Sequence, residues 1–375
     1  LRLFKSFVPL FVILLILLYI YQVDEENANN PSLFHQIDSY IQSIKERPEV
    51  DFAIQKVEDG LHYLAEKIDP STSQDLQTKQ KIDKPNLNTP SEHTFSIHNI
   101  EMGDSKEEVE KQVGPAKRSS VNEYGVNWYA YHQNYQNFFM VAYDQNDKVA
   151  GLYTNQDLIL SKLGVKMKDP KESVLQKLGK PIKNIQKGLV LYQIENKGEY
   201  HLFQVDNNYV TVFYDKHQNN TVTAVQIVST QLERQKKEFF GEASKELKEG
   251  FEYQLFDLTN AARVKHGLSV LTWDDHVKLT ARGHSSDMAQ NHYFSHTNLE
   301  GMSPFDRMKE DNISFRAAGE NLAAGQVSSI FAHEGLMNSL GHRKNILNTS
   351  FNSLGVGVAF DSESKPYYTE NFLGN

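Results

Sequence analysis

Three short stretches near the C-terminus hold the residue types best suited to chemistry: Asn291-His292-Tyr293-Phe294-Ser295-His296, Gly319-Glu320-Asn321, and Asn338-Ser339-Leu340-Gly341-His342-Arg343. Histidines and acidic residues recur through a region that is otherwise punctuated like a compact domain. Imidazole nitrogens and carboxylate oxygens can together bind a borderline divalent ion such as zinc. A carboxylate can instead orient a histidine through its second ring nitrogen. An oxygen-only calcium site would not require the histidines. The candidates span a loop, a turn and a helix, so a metal site, a metal-free hydrogen-bonded cleft and plain folding roles all stay open.

Several enzymatic constellations fail on inspection. His333-Glu334-Gly335-Leu336-Met337 has Met where the zinc-protease pattern needs its second histidine. The chain has no cysteine, which removes thiol nucleophiles, thiolate metal sites and disulfides. Ser295 beside His296, and Ser339 near His342, lie in no nucleophile-elbow motif. Asn321 and Asn338 are expected to hold turns or cap helices. Gly355-Val356-Gly357 is too short for a dinucleotide loop and reads as strand glycine beside closely packed backbone. Arg343 and Lys344 either receive an anionic ligand, pair with local carboxylates or stay solvated.

The elements that must position these residues follow from periodicity. Leu354 to Phe360 and Tyr367 to Phe372 alternate like strands, with a turn at 361–366. A helix carries Leu255, Leu258 and Ala262 on one stripe. A second begins around Asp274 with Val277, Ala281, His284 and Met288 at helical spacing. His284 therefore falls on the core-facing side, where a hydrogen-bonded core histidine is the expected reading over a ligand.

The rest of the chain is read in order. Arg2 and Lys5 precede an apolar run from Phe7 to Tyr21, followed by Asp24, Glu25 and Glu26. That charge order places the start inside and the remainder outside a membrane. Residues 1–23 are thus expected to be a signal anchor, with contact to the membrane through residues 7–23, or alternatively a signal peptide. Residues 24–94 read as a helical stalk and a polar linker. A net charge of -9 argues against nucleic acid, whose binding needs Lys and Arg.

Residues 95–230 use one pattern twice. Asp104-Ser105-Lys106-Glu107-Glu108-Val109 leads to Val113-Gly114-Pro115, and Asp169-Pro170-Lys171-Glu172-Ser173-Val174 leads to Leu178-Gly179-Lys180-Pro181. Each predicts a short helix stopped at glycine and proline, then strand-like runs, giving two similar α+β units packed against one another. Their aromatics, including Trp128, Tyr131, Phe138 and Phe139, are expected to be core. Residues 231–250 read as a charged helical bridge ended by Gly250, and 251–375 as the last domain.

With these pieces in place, residues 253–375 resemble a CAP domain, the fold of cysteine-rich secretory and pathogenesis-related proteins, in its bacterial cysteine-free branch. The resemblance rests on Tyr293-Phe294-Ser295-His296, Gly319-Glu320-Asn321-Leu322-Ala323, Met337 through Leu347, Gly355-Val356-Gly357-Val358 and Tyr367 through Phe372. The duplicated region before it resembles the CAP-associated domain of Bacillus-type proteins. Leu336 and Leu340 depart from the Trp and Pro common in bacterial relatives. The second change is expected to loosen the approach to His342.

The resemblance implies an α+β chain: membrane anchor, duplicated CAP-associated domain, then a CAP-type α-β-α sandwich. It also implies a cleft holding two histidines and two glutamates. His296, Glu320 and His342 match that cleft. Glu334 is the choice for the second acid, because Ile330 and Met337 turn its helix face inward, where a carboxylate needs a partner. These four residues are the candidate ligands for a divalent metal such as zinc. The function expected is a membrane-anchored, single-pass extracytoplasmic binding module at a Gram-positive cell envelope, recognising lipid, cell-wall material or an envelope protein. A secreted form is the alternative location. A metal-assisted hydrolase, with Glu320 or Glu334 activating water and His296 and His342 completing the cluster, is the alternative function.

Overall fold

Ser105 opens the first repeat's helix, α1 (Lys106–Val113), with a capping box: its hydroxyl accepts from the Glu108 amide while the Glu108 carboxylate accepts from the Ser105 amide. Gly114, at φ 80°, ends it. The second repeat's helix, α2 (Lys171–Leu178), starts after Pro170 and ends at Gly179, at φ 78°. This computed structural model describes residues 81–187, 190–194 and 198–375. The expected anchor and stalk helices lie outside the described residues, among which no helix is long and apolar enough to cross a membrane.

In the first repeat, β1 (Phe95–Ile97) pairs with β6 (Ile159–Ser161). Between them run β2 (Arg118–Val121), β3 (Asn127–Gln133), β4 (Gln136–Tyr143) and β5 (Val149–Thr154). The second repeat supplies the hairpin β7 (Asn184–Lys187) and β8 (Val190–Gln193). It also supplies β9 (Tyr200–Val205), β10 (Asn208–Asp215) and β11 (Thr221–Ser229). Seven of these strands form one antiparallel sheet in the order β2-β3-β4-β5-β11-β10-β9. The two units are therefore not packed against each other as separate bodies. They join edge to edge where β5 pairs with β11, Leu152 opposite Ile227, because two open edges satisfy each other's backbone groups in one ladder.

Strand alternation gives this sheet two buried faces. Tyr131, Phe139 and Val141 point one way, into a core that includes Val109 and Val174 of the two short helices. Trp128, Phe138 and Met140 point the other way, toward the C-terminal part of the chain. The aromatics expected to be core are core.

The expected bridge at 231–250 is not one helix. After α3 (Thr230–Gln235) the chain leaves helical geometry and re-enters it at α4 (Lys245–Lys265), which Ser244 caps by accepting from the Leu247 amide. Gly250 does not end α4; it lies inside it. A Cβ on Gly250 would sit 2.0 Å from the Val121 carbonyl oxygen of β2, so the glycine lets helix and strand touch.

The last domain has a four-stranded sheet in the order β12 (Thr272–Trp273), β14 (Ser353–Phe360), β15 (Pro366–Gly374), β13 (Ala317–Ala324). On one face lies α5 (Asp275–Asn291), pressed so close that a Cβ on Gly357 would fall 2.1 Å from the Arg282 amide nitrogen. On the other face Val356, Val358 and Phe372 share a core with Phe251 and Leu255 of α4 and with Leu336 of α7 (Ser329–Asn338). The result is an α-β-α sandwich. Two short helices, α6 (Pro304–Glu310) and α8 (Leu340–Ile346), flank β13.

Candidate functional site

The site is assembled around Glu320 on β13. Its carboxylate is buried and accepts two charge-assisted bonds, from His296 Nδ1 at 2.9 Å and from Arg307 Nη2 at 2.7 Å. Arg307, on α6, also donates through Nη1 to the carbonyls of His296 and Met302, at 2.8 and 3.0 Å. His284, buried on α5 as its helical stripe predicts, donates from Nε2 to the Ser295 carbonyl at 2.9 Å. The segment carrying His296 is thus tied down from α5, α6 and β13. The His296 side chain itself stays 52% exposed. With Nδ1 held against the carboxylate, Nε2 is the ring nitrogen left to meet a ligand.

His342 comes from α8. Its carbonyl accepts from Asn321 Nδ2 at 3.2 Å. Burial lowers its pKa, and the neighbouring His296 lowers it further, so this ring is neutral at ordinary pH. Behind it Asn321 Nδ2 also donates to Glu370 Oε2 at 3.0 Å, and Asn345 Nδ2 donates to Asn321 Oδ1 at 2.9 Å. Thr259 donates to the other Glu370 oxygen at 2.7 Å. Burial pushes the Glu370 carboxyl up to about 7, against the lowering effect of those Thr259 and Asn321 bonds. Because Asn321 and Glu370 are directly opposed across β13 and β15, they share the sheet face beneath α8, whereas Glu320 points to the other face. Asn321 is therefore neither a turn former nor a helix cap.

Of the four candidates, the structure brings His296 and Glu320 into direct contact and sets His342 near His296. Glu334 does not join them. It does face inward from α7, but that inward side meets the N-terminal domain, where Glu334 Oε1 accepts from the Tyr153 hydroxyl at 2.7 Å. Burial pushes its carboxyl up to about 7. Among the described residues, no group of three or more His, Asp or Glu side chains is arranged to hold a metal ion. Both Glu320 oxygens are already engaged, one by a buried guanidinium. The residues as placed do not fit zinc.

Arg343 leaves the cleft as well: it donates to Asp215 Oδ2 of the N-terminal domain at 3.0 Å, a carboxylate far away in sequence. The two departures at Leu336 and Leu340 are absorbed locally. Leu336 is buried in the core. Leu340 is the first residue of α8, a position where proline would only preset a φ that leucine also adopts. His342 accordingly sits in regular helix, and its approach is not loosened. Sequence reasoning missed Arg307 and Glu370. The first sits in Ser303-Pro304-Phe305-Asp306-Arg307, whose only local signal is a helix start; the second sits in a strand whose alternation alone offered a clue to its burial.

Residues 102–239 match the CAP-associated N-terminal family, and residues 256–372 match the cysteine-rich secretory protein family. The Bacillus subtilis membrane protein YlbC is 30% identical over 298 residues, which cover 72% of this chain and 82% of that protein. Bacillus subtilis YkwD is 44% identical over 124 residues, 33% of this chain and 47% of that protein. Among solved structures, an extracellular protein containing a SCP domain from Bacillus anthracis superposes with a TM-score of 0.64 at 28% identity, covering 78% of this chain and all of that one. A cysteine-rich secretory protein from Staphylococcus aureus shares the fold, with a TM-score of 0.57 at 16% identity over 73% of this chain and 91% of its own.

Proposed function

The chain belongs to the CAP family, in the form that carries a CAP-associated N-terminal domain, and from that premise we propose that it is an extracytoplasmic recognition module held at the cell envelope by its N-terminal segment. Its ligand would be envelope lipid, cell-wall material or another envelope protein. The membrane name of YlbC and the extracellular description of the Bacillus anthracis protein support the location. The apolar run after Arg2 and Lys5 supports the anchor.

One observation carries the binding role. A half-exposed imidazole, His296, is aimed by a buried carboxylate whose charge Arg307 already balances. Such a group is pre-organised to hydrogen-bond a ligand and costs little reorganisation on binding. His342, neutral beside it, offers a second polar contact. The constellation holds neither a placed nucleophile nor a set of free carboxylates, which weighs against the hydrolase alternative.

The test is capture of lipid and cell-wall fractions by the full chain in detergent, compared with His296→Ala and His342→Ala. The reading expects both variants to fold and to lose about tenfold in capture, the scale of one hydrogen bond to a charged or oriented group. Undiminished capture by both would remove the cleft from the function.

A further inference from the structure

The duplicated sheet presents two equivalent surfaces on its α4 side, and they are not treated alike. The core formed with Leu258 and Ala261 of α4 takes in Trp128, Met140 and Tyr153 of the first repeat and, of the second, Phe213, Ala224 and Val228. Over the second repeat a cavity of about 370 Å³ remains, floored by Tyr200, Leu202, Tyr209, Thr211, Gln226 and Val228. Strand register sets Leu202, Thr211 and Gln226 side by side across β9, β10 and β11. Tyr192 of the β7–β8 hairpin and Phe331 of α7 close it from the sides.

Two features of this cavity bear on what it would hold. Gln226 is only 2% exposed, yet its amide nitrogen has no hydrogen-bond partner among the described residues. A desolvated N–H donor left unpaired is costly, and a ligand acceptor there would offset that cost. At the cavity edge, Lys187 donates to the Glu233 carboxylate at 2.7 Å and to the carbonyls of Glu233 and Lys236 at 2.8 and 2.7 Å. Lys236 approaches the same carboxylate at 3.6 Å and lies 5.0 Å from the centre of the Tyr124 ring.

We propose that this cavity binds a neutral saccharide, one or two pyranose rings of a larger glycan. An acyl chain would leave Thr211 and the Gln226 amide without a polar partner from the ligand, each at a desolvation cost. A strongly anionic ligand would find Lys187 already committed to three acceptors. A sugar ring matches both halves of the lining: its C–H face lies on tyrosine rings, and its hydroxyls meet Gln226, Thr211 and the tyrosine hydroxyls. Tyrosine suits this because its body is apolar and its rim is polar. The volume is in the range of small-ligand pockets. The site is separate from the His296 cleft, and its success or failure does not depend on the cleft's role.

The experiment titrates the full chain in detergent with chitobiose, cellobiose and oleate by calorimetry, with unfolding midpoints recorded for every variant. Saturable binding of at least one of the two disaccharides is expected. Gln226→Met and Tyr209→Ala should each weaken it about tenfold, Tyr209→Phe by less because the ring is kept, and His296→Ala should leave it unchanged. Three results would each overturn the proposal: no saturable binding of either disaccharide, binding that survives Gln226→Met and Tyr209→Ala in folded protein, or oleate binding that those same variants abolish. Tyr209 is only half-buried and the Phe variant preserves its packing, so loss of folding in one variant leaves the other to decide.

Discussion

Glu320 shows how a single side chain can organise a cleft. Buried, it would be costly alone; bonded to Arg307 and His296 it fixes a loop and aims a ring. Arg307→Met removes the cation and leaves the carboxylate uncompensated, so stability should fall by about 3–5 kcal/mol, read from urea unfolding. A loss below about 1 kcal/mol would show that the pair contributes little. Glu334 makes a second prediction, with a pH signature. Its folded pKa, about 7, lies above its ordinary value of 4.5, so between those values the folded state binds more protons than the unfolded state. Stability from this group is therefore present at low pH and is lost as pH rises through about 7. The stability of the parent relative to Glu334→Gln should fall by roughly 3 kcal/mol from about pH 4.5 to 8. His333, held neutral by burial with its pKa pushed down to about 3, slopes the other way, but it is present in both proteins and cancels in the difference. A flat difference would contradict the burial assigned to Glu334. From the sequence, His296, Glu320 and His342 were legible because motif position marks them. Glu334 was not, since a helical stripe says that a residue faces inward but not which neighbour awaits it.

Helix α4 carries the lesson at the level of elements. Gly250 read as a stop because glycine is a poor helix residue, yet the chain keeps it inside a 21-residue helix where β2 leaves no room for a side chain. Ala at an ordinary glycine of an exposed helix interior stabilises. Gly283 is exposed on α5, and a Cβ added to it would meet nothing within 4 Å. Gly283→Ala should therefore gain about 0.5–1 kcal/mol. Gly250→Ala should do the opposite, costing about 2 kcal/mol or more by forcing α4 off Val121. Thermal unfolding of the two variants side by side checks both signs, and a stabilised Gly250→Ala would refute the close approach. The paired short helices and most of the central strands were readable from capping and alternation. The joining of the repeats into one sheet was not, because edge pairing between β5 and β11 depends on partners distant in sequence.

Across residues 81–375 the two domains share more than a linker. Arg118 bonds Asp257, Tyr153 bonds Glu334, Arg343 bonds Asp215, and the Asn338 amide donates to the Tyr214 carbonyl. α4 packs on both sheets. These ties predict one cooperative unfolding transition for the two domains together, seen as a single calorimetric peak. Two resolved transitions would mean that the interface contributes little. The domain order and CAP fold were visible in ordered motifs, whereas the interface was not, since its charged partners look like ordinary surface residues in sequence. In the proposed function the cleft recognises an envelope component without turning it over. Its most direct test is mass spectrometry of lipid and cell-wall fractions after incubation with the full chain, run beside His296→Ala. Material retained by the parent, about tenfold less by His296→Ala, and no new products in either sample are expected; products formed by the parent and absent with His296→Ala would overturn the proposal and make the cleft an active site.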